Sequence, residues 1–135
     1  MSVTRERSIA EALRRGWRVQ DSRFDRIYPQ RIQDASARFW TPVAVSLTAA
    51  EWLREAEYRS VLDVGAGAGK FCIVTNLASG CAVHGIEQRP RLVDAARAAA
   101  AIYDAEIQIE SGTIEKRLTP SCRASVRELL DRPLG

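Results

Sequence analysis

Three glycines at alternate positions, Gly65, Gly67 and Gly69, separate a short apolar run from a helical pattern, and one acidic residue, Glu87, closes the next apolar run. Without a Cβ, the backbone at such positions can take positive φ and lie against a ligand that a side chain would push away. Where a turn of this kind opens a helix, free N–H groups suit anionic or hydrogen-bond-accepting ligand groups. Glu87 follows Gly69 by 18 residues. At that spacing, an acid at the tip of the second strand of a strand–helix–strand unit sits beside the turn and accepts hydrogen bonds from the hydroxyls of a ribose. The chemistry in view is therefore nucleoside binding. The plainer reading is that Glu87 opens the next helix as a solvated carboxylate.

The elements around these residues follow from their patterns. Val61, Leu62 and Val64 read as a strand buried on both faces of a parallel sheet. Lys70 to Ala78, with Phe71, Val74, Leu77 and Ala78 at helical spacing, reads as a helix, and Cys81 to Ile86 as a second strand. Arg89-Pro90 opens an alanine-rich helix with Leu92, Ala96, Ala99 and Tyr103 on one face. Glu106 to Glu110 alternates, as a strand with one exposed face does at a sheet edge. This is an α/β pattern, and right-handed crossovers place the three parallel strands in the order 3-2-1. Ahead of the sheet, Thr41 and Pro42 start a helix expected to reach Tyr58, with Thr41 as its cap and Val45, Ala49, Trp52 and Ala56 as its apolar stripe. Further upstream, Ile32, Ala35 and Phe39 have helical spacing, as do Ile9, Ala12, Leu13 and Trp17 in a helix expected over 8–18. The division expected is a helical extension over 1–58 and a sheet domain over 59–135.

Spacing separates the ligand classes that use glycine turns. A phosphate-cradling P-loop would need a glycine at Val64 and a hydroxyl at Phe71. A dinucleotide fingerprint starting at Gly65 fails at its last position, Lys70, whose side chain is expected to interrupt helix–strand packing. The run Asp63-Val64-Gly65-Ala66-Gly67-Ala68-Gly69 resembles the first motif of the class I S-adenosylmethionine-dependent methyltransferases, and Gly85-Ile86-Glu87-Gln88 resembles their second. The resemblance covers about residues 40 to 112. It implies a Rossmann-like methyltransferase sheet preceded by helices, S-adenosyl-L-methionine as cofactor, and cofactor contacts from Asp63, Gly65, Ala66, Gly67, Gly69, Glu87, Gln88 and Thr113. Within that set Glu87 would bind the ribose, while Asp63 and the 65–69 backbone would lie near the methionine part. Thr113 falls where the family usually has a Gly-Asp pair meeting the adenine amino group. Tyr28, Phe39 and Trp40 would line the acceptor pocket. The family's sheet has about seven strands, and its fourth carries the acceptor-holding motif, for which no segment is apparent here. The sheet is therefore expected to be incomplete, with a truncated or frame-shifted product, or missing strands supplied in trans, as explanations. On that expectation the outer edge of the first strand is free to pair with a second copy or a complementing chain. No catalytic residue is assigned and the methyl acceptor is of unknown class. The alternatives are a non-catalytic interaction module or inactive remnant and, among enzymes, a nicotinamide-dependent oxidoreductase.

Composition narrows the classes. The chain of 135 residues is one domain's worth. It has no apolar run near the roughly 18 residues of a membrane span and no charged-then-apolar leader, so a cytoplasmic protein is expected. Cys72, Cys81 and Cys122 are odd in number and lack C-x-x-C spacing, which fits small buried thiols. With one histidine, His84, expected to be packed in the sheet, zinc has too few ligands. The net charge of +3 comes from arginines in the first 40 residues. Arginines beside Trp17 and Phe24 are compatible with a nucleic-acid arm, but Glu6, Glu11, Asp21 and Asp25 dilute the field, which favours a solvated helix face. A last helix is expected from Leu118-Thr119-Pro120, with Cys122, Val126, Leu129 and Leu130 on one face.

Overall fold

The computed structural model describes residues 3–113, which form helices α1 (Val3–Arg14), α2 (Asp21–Asp25), α3 (Gln30–Phe39) and α4 (Val43–Glu55), then β1 (Ser60–Val64), α5 (Lys70–Ser79), β2 (Ala82–Glu87), α6 (Pro90–Tyr103) and β3 (Ile107–Ser111). The helix expected from Leu118 onward, and Cys122 with it, lie outside these residues. The strands form one parallel sheet in the order β1-β2-β3, with Val61 opposite Val83, Val83 opposite Ile107, and Asp63 opposite Gly85. Among the described residues no helix is long and apolar enough to cross a membrane.

Helix α5 is the centre of the packing. Its sequence is apolar nearly all round, and Cys72, Ile73, Val74, Thr75, Leu77 and Ala78 are all buried, as expected of a helix with neighbours on both sides. One side meets the sheet through a cluster of Ala66, Cys72, Val83, Val93, Ala96 and Ile109. The other side meets α1 and α4 through a larger cluster in which Ile9, Leu13, Phe24, Tyr28 and Val43 pack with Ile73, Val74, Leu77 and Tyr103. This second cluster draws residues from both sides of position 58. Tyr103 stacks on Phe24 at 4.7 Å between ring centroids, and its hydroxyl donates to the Phe24 carbonyl at 2.7 Å.

Several sequence expectations are corrected. Helix α1 ends at Arg14, because Gly16 takes a left-handed φ of 73° and turns the chain. Trp17 therefore lies outside the helix, largely exposed, with the Arg15 guanidinium 5.1 Å from its ring. In α4 the buried residues are Val43, Ser46 and Ala50, whereas Val45 and Trp52 are 54% and 66% exposed, so the expected apolar stripe faces outward. Thr41 does not cap α4. The Val43 N–H instead donates to Asp21 Oδ1 at 2.8 Å, a partner 22 residues upstream. β1 is not buried on both faces among the described residues. Val61 and Asp63 face α5, while Leu62 and Val64 on the opposite face are 39% and 53% exposed. His84 shares that open face, half-exposed, with Nε2 3.4 Å from Glu110 Oε1.

Candidate functional site

The glycine turn runs from the end of β1 to the first residue of α5 and is held from two directions. From the sheet side, the Gly65 and Ala66 N–H groups both donate to the Ile86 carbonyl at 2.8 and 3.0 Å, and the Gly67 N–H donates to Glu87 Oε1 at 3.0 Å. From the helical side, the Tyr28 hydroxyl donates to the Ala68 carbonyl at 2.8 Å, and the Trp40 indole lies over Gly67. A Cβ at Gly67 would come within 2.9 Å of Trp40 Nε1, and one at Gly69 within 2.9 Å of the Ala96 Cβ. Gly67 thus admits an aromatic ring, and Gly69 lets α5 and α6 approach. Gly65 differs, since a Cβ there would meet nothing within 4 Å. Its face is open.

Beside Gly65 lies a cleft of about 210 Å³ lined by Phe39, Trp40, Thr41, Asp63, Gly65, Ala66, Lys70 and Phe71. Phe39 and Trp40 line this cleft, whereas Tyr28 is buried beneath the turn and does not. Within the turn the N–H groups of Gly65, Ala66, Gly67 and Gly69 are bonded internally, and the first turn of α5 has no side-chain cap, so its N–H groups are the donors a ligand can reach. Opposite charge is at hand in Asp63, whose Oδ2 accepts the Cys72 thiol at 3.3 Å. Burial raises the Asp63 pKa, the thiol works against that, and the nearby Glu87 charge adds to the rise. Cys72 is itself buried, and its thiol is pushed well up by burial and by Asp63, which keeps it protonated as the donor.

Lys70 follows the turn directly and is 2% exposed. Its side chain points away from the sheet, with Nζ 2.8 Å from Asp21 Oδ1, 3.1 Å from Asp25 Oδ1 and 3.1 Å from Ser36 Oγ. The expected interruption of helix–strand packing does not occur, because the side chain inserts between α2 and α3. Asp21 also accepts the Val43 N–H, so one ammonium at the start of α5 joins α2, α3 and α4 to the turn. Sequence reasoning missed this cluster, because Ser36 and Asp25 lie 34 and 45 residues from Lys70 and Asp21 lies further still.

Glu87 ends β2 with its side chain 2% exposed. Besides the Gly67 N–H, it accepts the Arg89 N–H and Nε–H at Oε2, both at 2.9 Å, and Arg89 Nη2 lies 3.4 Å from Oε1. Burial pulls the Glu87 pKa up, but the Arg89 side chain and N–H and the Gly67 N–H outweigh it, and the net direction is down. Glu87 is thus a bonded carboxylate at the turn and not a solvated one. Of the remaining sequence-derived residues, Gln88 and Thr113 are exposed, and Thr113 follows Gly112, whose N–H donates to the Glu87 carbonyl at 3.0 Å. The structure gathers Asp63, Gly65, Ala66, Gly67, Gly69 and Glu87 around one turn. The chain matches no protein-family model and no curated protein. The site therefore stands on its own geometry.

That geometry has a pH consequence. Asp21, like Glu87, has a lowered pKa, with burial raising it and the Lys70 ammonium and Val43 N–H more than offsetting that. Both carboxylates bind protons less tightly folded than unfolded. The stability they contribute is full above their ordinary values of 3.8 and 4.5 and is lost as pH falls through the lower folded values. Asp63, with a raised pKa, acts in the opposite sense. The urea midpoint is expected to decline as the pH is lowered past about 4.5. A rise over that range would mean that Asp63 outweighs the other two.

Proposed function

We propose that the turn, the cleft and Glu87 bind S-adenosyl-L-methionine, and that the chain serves methyl transfer. The observation that carries this reading is how the glycine faces are divided. A dinucleotide needs its pyrophosphate against the second glycine of the turn. At Gly67 that approach is filled by Trp40, and a carboxylate, Asp63, lines the adjoining cleft, which disfavours phosphate. The open face at Gly65, by contrast, lies among an acid and the unbonded donors at the start of α5. An ammonium group finds Asp63 there, and a carboxylate finds the helix N-terminus. Glu87, the acceptor proposed for a diol, lies across the turn with its carboxylate held by Gly67 and Arg89. These are the groups of an amino-acid-bearing nucleoside. The cleft of about 210 Å³ is smaller than the roughly 300–1,000 Å³ of whole-ligand pockets, so it suits one part of such a ligand.

When bound, S-adenosylmethionine supplies an activated methyl on a sulfonium centre, which an acceptor removes by direct displacement. The chain's own part is to hold the cofactor in line, through Asp63 and the α5 N-terminus at one end and Glu87 at the other. Asp63, Gly65, Ala66, Gly67, Gly69 and Glu87 are the proposed contacts, with Gln88 and Thr113 at the nucleoside rim. Isothermal titration with S-adenosylhomocysteine is expected to show saturable binding, weakened by about 1–3 kcal/mol in Glu87→Ala, the usual range for a hydrogen bond to a charged group. NAD should not compete. Competition by NAD, or affinity unchanged by the substitution, would overturn the reading.

A second reading rests on a different observation. Leu62 and Val64 are exposed on β1, an outer strand of the sheet among the described residues. Such an edge suits a second copy or a complementing chain, as in an interaction module. Sedimentation of the purified chain as a monomer at high concentration would count against the second copy.

A further inference from the structure

Glu87 is the acceptor on which nucleoside binding depends, yet nothing of its carboxylate is open to a ligand. A carboxylate offers about four lone-pair positions, two on each oxygen. Here Oε1 takes the Gly67 N–H at 3.0 Å and Arg89 Nη2 at 3.4 Å, and Oε2 takes the Arg89 N–H and Nε–H at 2.9 Å each. Two of these four partners are backbone groups that fix the carboxylate at the turn. The other two belong to one guanidinium, on a side chain that is 65% exposed. Withdrawing that guanidinium would uncover one acceptor position on each oxygen while both backbone bonds remain. Two adjacent acceptor positions are what the two neighbouring hydroxyls of a ribose require.

We infer that Arg89 is a positioning residue that clasps Glu87 closed in the free protein, and that a ribose enters by displacing its guanidinium while the Gly67 and Arg89 N–H groups keep the carboxylate in place. This rests on the nucleoside reading of the site. The clasp is suited to exchange. Arg89 opens α6 from an extended conformation, its head is mostly in solvent, and it can leave without breaking any backbone bond. Its ion pair with Glu87 is partly exposed and hence of modest strength, so it lowers affinity without abolishing binding.

The test compares the full chain with its Arg89→Ala and Arg89→Lys variants, titrated with S-adenosylhomocysteine and with adenosine. Arg89→Ala is expected to bind both about fivefold more tightly, because the competing guanidinium no longer holds the open form down. Arg89→Lys, which keeps the charge but not the fork, should fall between the two. A merely structural role would reduce affinity together with thermal stability, so a gain in affinity separates the two roles. If the wild-type chain binds and Arg89→Ala binds equally or less tightly, the clasp is wrong and the nucleoside reading stands. If neither chain binds either ligand, both are wrong. Binding seen only in Arg89→Ala would support both, with a stronger clasp.

Discussion

Replacing Lys70 with methionine is expected to lower the unfolding free energy by about 3 kcal/mol, read from urea or guanidinium transitions. Breaking a buried ion pair by removing one partner costs roughly 3–5 kcal/mol, because the other charge stays buried without compensation. Asp25, 4% exposed, bears that loss in full. Asp21 bears less of it, since its side chain is 44% exposed and solvent can take over. Ser36 loses the donor to its hydroxyl, and α2, α3 and α4 lose the group that ties them to the turn. Methionine is an unbranched side chain close to lysine in length, so the effect reports charge and hydrogen bonding more than volume. Adding Asp25→Leu to Lys70→Met should restore a large part of the loss, since an apolar pair can replace a buried ionic one at little cost. A loss under about 1 kcal/mol from Lys70→Met would mean that the cluster is wetter than its burial indicates.

The second large effect is expected at Gly85, in the middle of β2. A Cβ there would lie 2.6 Å from Ile109 Cδ1, 2.8 Å from the Ala66 Cβ and 3.2 Å from Cys72 Sγ. The Ile109 end can rotate aside, but the Ala66 methyl is fixed to the glycine turn and cannot. Gly85→Val should therefore cost about 3 kcal/mol, the upper part of the usual range for overpacking. It should also push the turn away from the sheet. Gly80 is the matched control. It has a φ of 76° but open space around it, so Gly80→Ala carries only the conformational penalty of about 1–2 kcal/mol. Equal losses at the two sites would argue against the close approach of Ala66, Ile109 and Cys72.

The sheet and its turn were legible because they are local. Three β-rich runs, the glycines between the first run and α5, and the alanine-rich α6 each carry their own signal. Burial was less legible. Val45 and Trp52 drew the apolar stripe of α4 because of their size, yet the face that packs is the one with small residues, Val43, Ser46 and Ala50, because α4 lies close against α5. Val61, Leu62 and Val64 suggested a strand covered on both sides, but apolar composition does not say what covers a face. Long-range polar pairing was not legible at all. Nothing near Lys70 in sequence announces Asp21, Asp25 or Ser36. Arg89 is the opposite case. It stands two residues from Glu87, and an arginine within reach of a buried acid is a signal that could have been read.

Asp63, the turn and Glu87 are proposed to form one nucleoside site. Amide chemical shifts of the isotopically labelled chain, followed during titration with S-adenosylhomocysteine, test it most directly. Saturable shifts are expected, concentrated at Asp63, Gly65, Gly67, the first turn of α5, and Glu87 to Arg89. Saturable shifts confined to α1, α4 or the outer edge of β1, or none at millimolar ligand in a folded chain, would contradict it.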